Sequence, residues 1–322
     1  MIIIHNHLKN KKMLSKKSKS EIWKDLKKRP LEDIEVIKTI EKFFLKKRGY
    51  IFKMPSPGEN IILLLSGGAD SIVLWDILMS KYKLNVYPLF VSEKKGFLKL
   101  IDHQYRSIKY FEKYYKKKNK KLFHSSFTIS IGNNLKKEIA HSILKNPQEL
   151  LNHMCEDGGI NVRNYSTTSM FVSASLSYSK LLKIKKNIKI KTIFTGNLST
   201  DGLLAQHQTL TALRSVMFDI CNTSGDYTLQ TASLFIEKEL GYFFSKDFVV
   251  NWAKIHNIPL HKTWTCWNRT GLFPCGTCVT CRYRKEIMLK NKMKDTMYIS
   301  DVKKMVLTIK HKVNKLILII EK

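Results

Sequence analysis

Short apolar runs alternate with amphipathic stretches through the middle of the chain. The run Asn60-Ile-Ile-Leu-Leu-Leu65 lies between turn residues, as expected for a strand buried on both faces of a sheet. Three further runs of this kind predict strands, at residues 86–91, 122–127 and 191–196. The stretches between the runs predict helices, at residues 72–81, 104–118 and 166–183. This alternation predicts an α/β fold, a doubly wound parallel sheet that binds its ligands at the carboxyl ends of the strands.

The first 57 residues differ from the rest of the chain. Residues 1–20 are rich in Lys and poor in apolar side chains, which predicts disorder. Residues 31–48 carry apolar side chains at helical spacing and predict one amphipathic helix, before Pro55-Ser-Pro-Gly58 breaks the chain. We therefore divide the chain into a basic N-terminal extension, an α/β domain, and a cysteine-rich region with a basic tail, at residues 1–57, 58–262 and 263–322.

The formal net charge of +31 arises almost entirely from Lys, because only eight of the 57 basic residues are Arg. Specific nucleic-acid grooves often use Arg for bidentate contacts, so this charge permits nucleic-acid binding but does not favour it. The start of the chain does not resemble a signal peptide. Its apolar stretches are far shorter than the ~20 residues of a membrane span. The expected location is therefore the cytoplasm, without a membrane partner.

A glycine-containing loop follows the first predicted strand, with the sequence Ser66-Gly67-Gly68-Ala69-Asp70-Ser71. Two adjacent glycines allow positive φ and turn successive N–H groups toward one anion, and the following helix adds its N-terminal amides. Ser66 and Ser71 offer hydroxyl donors, while Asp70 can cap the helix or hold Mg²⁺. The alternative is a plain tight turn. The loop resembles that of pyrophosphatases that cut ATP between its α- and β-phosphates, and it lacks the Gly-Lys-Ser/Thr ending of a Walker A loop.

Four of the six cysteines lie within 16 residues, at Cys266, Cys275, Cys278 and Cys281. In a cytosolic chain such a cluster predicts a metal site rather than disulfides. Four thiolates suit tetrahedral Zn²⁺ and leave no open position, so the predicted zinc is structural. An iron–sulfur cluster also takes four cysteines. A redox Cys-x-x-Cys pair is the third alternative, but it leaves two of the thiols without a role.

Together the two motifs resemble the 7-cyano-7-deazaguanine synthase (QueC-like) family of PP-loop ATP pyrophosphatases, in which some divergent members are associated with anti-phage defence. The resemblance runs from about residue 58 to 290 and implies an adenine nucleotide alpha hydrolase-like, Rossmann-like fold with a C-terminal four-cysteine zinc-binding region. It includes the segment before the first cysteine, residues 259–266, and the ending Cys275-Gly-Thr-Cys278-Val-Thr-Cys281-Arg-Tyr-Arg284. Further matching positions are Arg163-Asn164, the strand-end segment 195–201, and Ser245-Lys246.

The resemblance implies an ATP-dependent ligase or synthase. The carboxylate of 7-carboxy-7-deazaguanine attacks the α-phosphorus of ATP, ammonia then converts the adenylate to an amide, and a second ATP dehydrates the amide to the nitrile. Residues Ser66 to Ser71 would hold the phosphates with Mg²⁺. The implied catalytic residues are Ser66, Asp70, Ser71, Arg163 and Lys246. The implied substrate-binding residues are Gln104, Arg106, Asn164 and Asp201, and a homodimer is an expected assembly.

The chain departs from the family pattern mainly where the substrate would bind. The family's Tyr-Gly-Gln-Arg-His segment is absent after the second strand, and His103-Gln104-Tyr105-Arg106 is the nearest stretch. Residues 209–226 replace an acidic segment of the family. The reaction therefore has three alternatives: transfer of the activated deazaguanine to ammonia, its transfer to the N-terminal amine of a protein in an anti-phage system, or thiolation of tRNA by an enzyme with the same kind of loop. A non-enzymatic zinc-ribbon module is the fourth alternative, and it leaves the loop at Ser66 unexplained.

Overall fold

The computed structural model describes residues 16–92, 102–119, 121–130, 167–203, 205–266 and 273–295. The helices in these ranges are α1 (Lys19–Lys27), α2 (Ile34–Arg48), α3 (Ala69–Ser80), α4 (His103–Lys118), α5 (Thr167–Lys186), α6 (Leu210–Ser224), α7 (Lys246–Ile255) and α8 (Val279–Lys290). The strands are β1 (Asn60–Leu64), β2 (Asn85–Ser92), β3 (Phe127–Ser130), β4 (Thr192–Thr195) and β5 (Gln230–Ser233). None of these helices combines the length and apolar character that a membrane crossing requires.

The five strands form one parallel sheet in the order β3-β2-β1-β4-β5. Strands β2 and β3 lie on one side of β1, and β4 and β5 lie on its other side. This order confirms the predicted doubly wound fold. Ligands of such sheets bind where the strand order reverses, which here is the crevice beyond the carboxyl ends of β1 and β4.

Both faces of the sheet are covered, as the continuous apolar character of β1 predicts. Ile61 and Leu63 pack into one core with α3, α4 and α7. Ile62 points to the opposite face and packs into a second core with α2, α5 and α6. Neighbouring residues of β1 therefore serve different cores, because successive side chains of a strand point to opposite faces.

Two features of the sheet differ from the sequence prediction. The strand predicted at residues 122–127 is wrong, because β3 begins only at Phe127 and a single bridge joins Phe123 to Val86. The apolar side chains of Leu122 and Phe123 instead pack against the core from the turn before the strand. Strand β5 was not predicted, because its sequence Gln-Thr-Ala-Ser is polar although all four residues are buried.

The N-terminal segment packs onto the sheet's helical layer. The amphipathic helix predicted at residues 31–48 is confirmed as α2, which begins after the N-cap Asp33 and ends at Gly49. Disorder was predicted through residue 20, but α1 begins at Lys19 behind a capping box of Ser18 and Glu21. Residues 1–15 lie outside the described part of the chain.

A buried ionic cluster fastens α2 to the rest of the molecule. Arg214 of α6 is fully buried, donates to Glu41 of α2 at 2.9 Å, and binds both oxygens of Glu237 at 2.7 and 3.0 Å. Burial favours the neutral guanidine, but the two carboxylates outweigh it and raise the pKa of Arg214 above its ordinary value. The cluster fixes one orientation of α2 on the sheet, since each charge has a bonded partner.

Candidate functional site

The loop after β1 has the shape that anion binding requires. Gly67 adopts φ = +74°, a left-handed conformation that favours glycine. Its carbonyl oxygen accepts hydrogen bonds from the Ser107 hydroxyl at 2.8 Å and the Trp264 amide at 3.0 Å. The loop is therefore held from two sides, by α4 and by the segment that precedes Cys266.

The start of α3 is left open to a ligand. Gly68 is the N-cap and supplies no side chain to the first amides, so of the two roles considered for Asp70 the structure excludes capping of the helix. The Ser66 and Ser71 hydroxyl groups lie 3.2 Å apart, and the Gly68 amide donates to the Ser66 hydroxyl at 3.3 Å. Backbone amides and two hydroxyl groups thus converge at the positive end of the α3 dipole, where a phosphate is stabilised.

Gly67 also has no room for a side chain. A Cβ atom there would lie 2.9 Å from the Gln104 Cα and closer still to its carbonyl oxygen. We expect Gly67→Ala to lower the free energy of unfolding by about 1–3 kcal/mol more than Gly58→Ala, because overpacking adds to the cost of positive φ. Gly58 is the matched control, with φ = +87° and open space around it. Urea unfolding measures the free energy of unfolding of both variants. Equal losses would show that α4 moves to accommodate the added methyl group without destabilising the protein.

Lys246, Asp70 and Asp201 form a charged cluster beside this loop. Lys246 begins α7 and makes an ion pair with Asp70, the second residue of α3. Burial favours the neutral amine, but Asp70 and Asp201 outweigh it and hold the pKa of Lys246 above its ordinary value. The other Asp70 oxygen, Oδ1, is buried without a hydrogen-bond partner among the described residues. A ligand of the loop would therefore meet the protonated Lys246 ammonium group and the Asp70 Oδ1 atom, which lacks a hydrogen-bond partner among the described residues.

Asp201 follows β4 and is partly buried. Burial raises its pKa to about 6, although Lys246 and the Leu198 amide, which donates to the carboxylate at 2.9 Å, favour the charged form. Gly196, nearer the end of β4, packs so closely that a Cβ atom there would lie 3.2 Å from the Ser71 amide nitrogen. The loops after β1 and β4 therefore enclose one crevice, as the sheet topology predicts.

The raised pKa of Asp201 makes stability depend on pH. Below about pH 4 the carboxyl is protonated in both folded and unfolded chains, and its contribution to stability is fully present. This contribution falls as pH rises through about 6, because ionisation inside the protein is unfavourable. We expect the native protein to lose stability relative to Asp201→Asn between pH 4 and 6, with a constant difference above pH 7. Chemical unfolding of both proteins across this range measures it, and a difference independent of pH would contradict the expectation.

The remaining predicted site residues divide into two groups. Gln104 and Arg106 lie in the first turn of α4, where the Gln104 backbone packs against Gly67 while Arg106 is exposed. Asp102 caps this helix by accepting from the Gln104 amide at 2.9 Å. Arg163 and Asn164 lie outside the described residues.

The four cysteines meet at one point. Their sulfur atoms all lie within 4.8 Å of one another, and the Cys266–Cys275 and Cys275–Cys281 separations are 3.6 and 4.0 Å. Cys266 and Cys281 are buried, and Gly276 takes φ = +76° in the turn between two of the ligands. Burial favours the Cys275 thiol, but hydrogen bonds from Cys278 and Thr277 favour the thiolate and lower the Cys275 pKa to about 6. The group therefore fits a single metal ion.

Sulfur spacing also indicates which kind of metal centre fits. Four thiolates on one Zn²⁺ with bonds of about 2.3 Å place tetrahedral sulfurs about 3.8 Å apart, close to the two separations found here. In a cubane iron–sulfur cluster each cysteine binds a different iron, which requires wider spacing.

Trp264 joins the cysteine segment to the loop after β1, a contact that the sequence did not reveal. Its amide donates to Gly67, and its indole stacks on His103 at 3.8 Å with an interplanar angle of 10°. Arg284 of α8 holds the same segment, residues 260–266, in place. Its buried guanidinium donates to the Thr263 and Thr265 hydroxyl groups and to the Leu260 carbonyl at 2.7–2.8 Å. The only sequence signal was the position of Trp264 two residues before a metal ligand.

Two solved structures resemble the chain weakly. The U34-tRNA thiolase NcsA from Methanococcus maripaludis, with its [4Fe-4S] cluster, aligns over 80% of this chain and 73% of that one, with 13% identity and a TM-score of 0.34. The NH3-dependent NAD synthetase from Campylobacter jejuni aligns over 80% and 94%, with 14% identity and a TM-score of 0.26. Scores this low do not establish a shared fold, so the fold assignment rests on the sheet of this chain.

Sequence comparison gives the stronger result. A 7-cyano-7-deazaguanine synthase from Prochlorococcus marinus (strain MIT 9515) is 39% identical over 54 residues, which are 17% of this chain and 24% of that protein. The chain thus matches about a quarter of the length of this relative. The family model described as "Queuosine biosynthesis protein QueC" matches residues 60–292, well over half of the chain and including the loop, the charged cluster and all four cysteines. The chain therefore belongs to the QueC family of queuosine biosynthesis proteins.

Proposed function

We propose that this protein is an ATP-dependent synthase that adenylates the carboxylate of 7-carboxy-7-deazaguanine and passes the activated acyl group to an amine. The observation that carries the proposal is the Lys246–Asp70 pair beside the open loop at Ser66 to Ser71. Family membership supports the choice of substrate.

The chemistry that we propose begins at the loop. Amides of residues 67–71 and the hydroxyl groups of Ser66 and Ser71 hold the β- and γ-phosphates of ATP. The substrate carboxylate attacks the α-phosphorus, the bond to the bridging oxygen breaks, and pyrophosphate leaves with the electron pair. Lys246 stays protonated because two carboxylates face it, so its charge opposes the negative charge that develops on the phosphates.

Asp70 has the right chemistry for a magnesium ligand. Its Oδ1 atom is buried without a hydrogen-bond partner in the described part of the chain, while its Oδ2 atom binds Lys246. A bound Mg²⁺ would neutralise phosphate oxygens and align the leaving group. When nucleotide enters, we propose that Lys246 turns to the phosphates and leaves the Asp70 carboxylate to the metal.

Asp201 is the proposed contact to the heterocycle. A partly buried carboxylate in the segment after β4, across the crevice from the loop, can accept hydrogen bonds from the amine and imino groups of a guanine-like base. Ammonia then attacks the acyl carbon, AMP leaves, and the amide forms with release of a proton. Gln104, Arg106, Arg163 and Asn164 remain candidates for the substrate side.

A peptide amine is the second candidate acceptor. The observation that favours it is a cavity of about 610 Å³ that opens beside Ser245, the residue before Lys246, with one wall built by residues 17–29. That wall lies outside the segment that matches the family model.

The four cysteines are proposed to hold a structural zinc ion. The 3.6 and 4.0 Å sulfur separations support one tetrahedral ion rather than a cluster, and they also weigh against a thiolation reaction that depends on iron and sulfide. Four thiolates leave the ion without an open position, so its chemistry is limited to holding residues 264–284 in place.

Incubation of the full chain with ATP, Mg²⁺ and 7-carboxy-7-deazaguanine tests the proposal, with ammonia present or absent. We expect substrate-dependent release of AMP and pyrophosphate, and an amide or nitrile product only with ammonia. Adenylation without an ammonia product would reject the first acceptor and retain the activation step. No substrate-dependent AMP would reject the activation step itself.

A further inference from the structure

A groove lies where the N-terminal segment meets the core, next to the start of α7. We call it the extension groove, and its cavity volume is about 610 Å³. Lys28 and Arg29 form one wall, Leu203 and Phe243 contribute apolar surface, and Ser245 and Asn251 line the side formed by α7. This volume accommodates a few residues of a peptide.

The charges of the groove favour an anionic occupant. Lys17 is neutralised by Asp25 at 2.7 Å, whereas Lys28 has no ion pair among the described residues. Among the described residues, the Arg29 guanidinium donates through Nη1 alone, to the Ser199 carbonyl, and it lies 4.7 Å from the centre of the Phe243 ring. Two cationic groups therefore retain donor capacity along one wall.

The apolar surface of the groove indicates a ligand that is more than a simple anion. Leu203 is 46% exposed and lines the same cavity as Phe243. An aliphatic side chain on the ligand would cover this surface and remove it from water. Donors, an amide group and apolar surface in one groove are typical of peptide recognition.

Two other occupants fit these observations less well. The N- and C-terminal segments of this chain, residues 1–15 and 301–322, are themselves basic and would be repelled by Lys28 and Arg29. A nucleic acid would gain little from the exposed apolar surface of Leu203.

We propose that the extension groove binds an acidic peptide segment of a partner protein that carries an aliphatic side chain. Ser245, the residue before Lys246, lines the groove, so a bound segment lies near the crevice in which the activated carboxylate is proposed to form. This inference rests on the second candidate acceptor of the proposed function. Residues 17–29 lie outside the family-matched segment, so this recognition belongs to this chain rather than to the family as a whole.

Fluorescence anisotropy of the full chain tests the groove with three labelled probes. They are a 12-residue peptide of Glu, Asp and Leu, the same peptide with Lys in place of its acidic residues, and a 12-nucleotide thymidine strand. We expect the acidic peptide to bind best. Lys28→Glu should weaken it by about tenfold, because it reverses a charge in the groove, and Leu203→Ser should weaken it several-fold.

Lys27→Glu is the matched control, because it makes the same charge change one residue earlier, also at the end of α1, but outside the groove. We expect it to change peptide affinity less than twofold. Equal losses of peptide affinity in Lys27→Glu and Lys28→Glu would show that the peptide is attracted only by the overall charge of +31. That result would overturn the proposal. Stronger binding of the thymidine strand, sensitive to Lys28→Glu, would overturn it in favour of nucleic acid.

A parallel assay separates this inference from the proposed function. Lys28→Glu should leave AMP formation from ATP and 7-carboxy-7-deazaguanine unchanged, since Lys28 does not contact the loop or the charged cluster. Intact AMP formation without peptide binding would reject the groove alone. Peptide binding without AMP formation would reject the activation chemistry alone.

Discussion

Replacing Lys246 with methionine should lower the rate of substrate-dependent AMP formation by about a thousandfold. Lys246 holds a proton between Asp70 and Asp201, directly beside the loop that is proposed to carry the phosphates. Methionine keeps the length and apolar stem of the side chain but removes the charge. The measurement is AMP formation under saturating ATP and substrate, compared with the native protein.

A loss of folding must be distinguished from a loss of catalysis in this variant. Breaking a largely buried ion pair leaves Asp70 uncompensated and destabilises the protein by about 3–5 kcal/mol. Adding Asp70→Asn to Lys246→Met removes that unpaired charge, so we expect stability to recover while activity stays low. Lys254→Met is the control on the same helix, because Lys254 is exposed and its ammonium group donates to the Asn291 carbonyl instead of pairing with Asp70. A Lys246→Met enzyme within tenfold of native activity would contradict the assigned role.

Removal of the metal from the cysteine site should lower both stability and nucleotide affinity. We expect one zinc per chain as purified, and a melting temperature at least about 5 °C lower after chelation, because the ion organises two buried thiolates and the segment around them. ATP affinity should fall by about tenfold as well. The reason is Trp264, whose amide bonds the Gly67 carbonyl and whose position depends on Cys266 two residues later.

Metal analysis, calorimetry and nucleotide titration measure these effects. Cys281→Ser should reproduce the chelated state. Cys221→Ala is the matched control, since Cys221 is also buried but lies in α6 away from the metal cluster. Iron with acid-labile sulfide in place of zinc would contradict the assignment of the metal. Unchanged ATP affinity after metal loss would show that the loop keeps its conformation without a metal in the cysteine segment, so the bond from Trp264 to Gly67 would not link the two sites.

Local patterns were sufficient for several elements. The Ser66 to Ser71 loop, the amphipathic helix α2 and the clustered cysteines each depend on residues close together in sequence, so their types and spacing predicted them. The prediction of a strand at residues 122–127 was wrong because its apolar signal came from Leu122 and Phe123. These two side chains pack on the core from the turn before β3. Strand β5 gave no apolar signal, since buried polar side chains such as Gln230 find backbone partners there, with the Lys53 carbonyl at 3.1 Å.

The sequence by itself determined the class of sheet, the glycine-containing loop after β1, the cluster of four cysteines and the resemblance to the QueC family. Only the tertiary structure decided that Asp70 pairs with Lys246 instead of capping α3, because those residues lie 176 positions apart and meet only when α7 packs beside α3. The same holds for the bond from Trp264 to Gly67 and for the groove beneath α1. Each of these contacts joins distant segments, and their formation depends on how the two cores pack around the sheet rather than on any local preference of the chain.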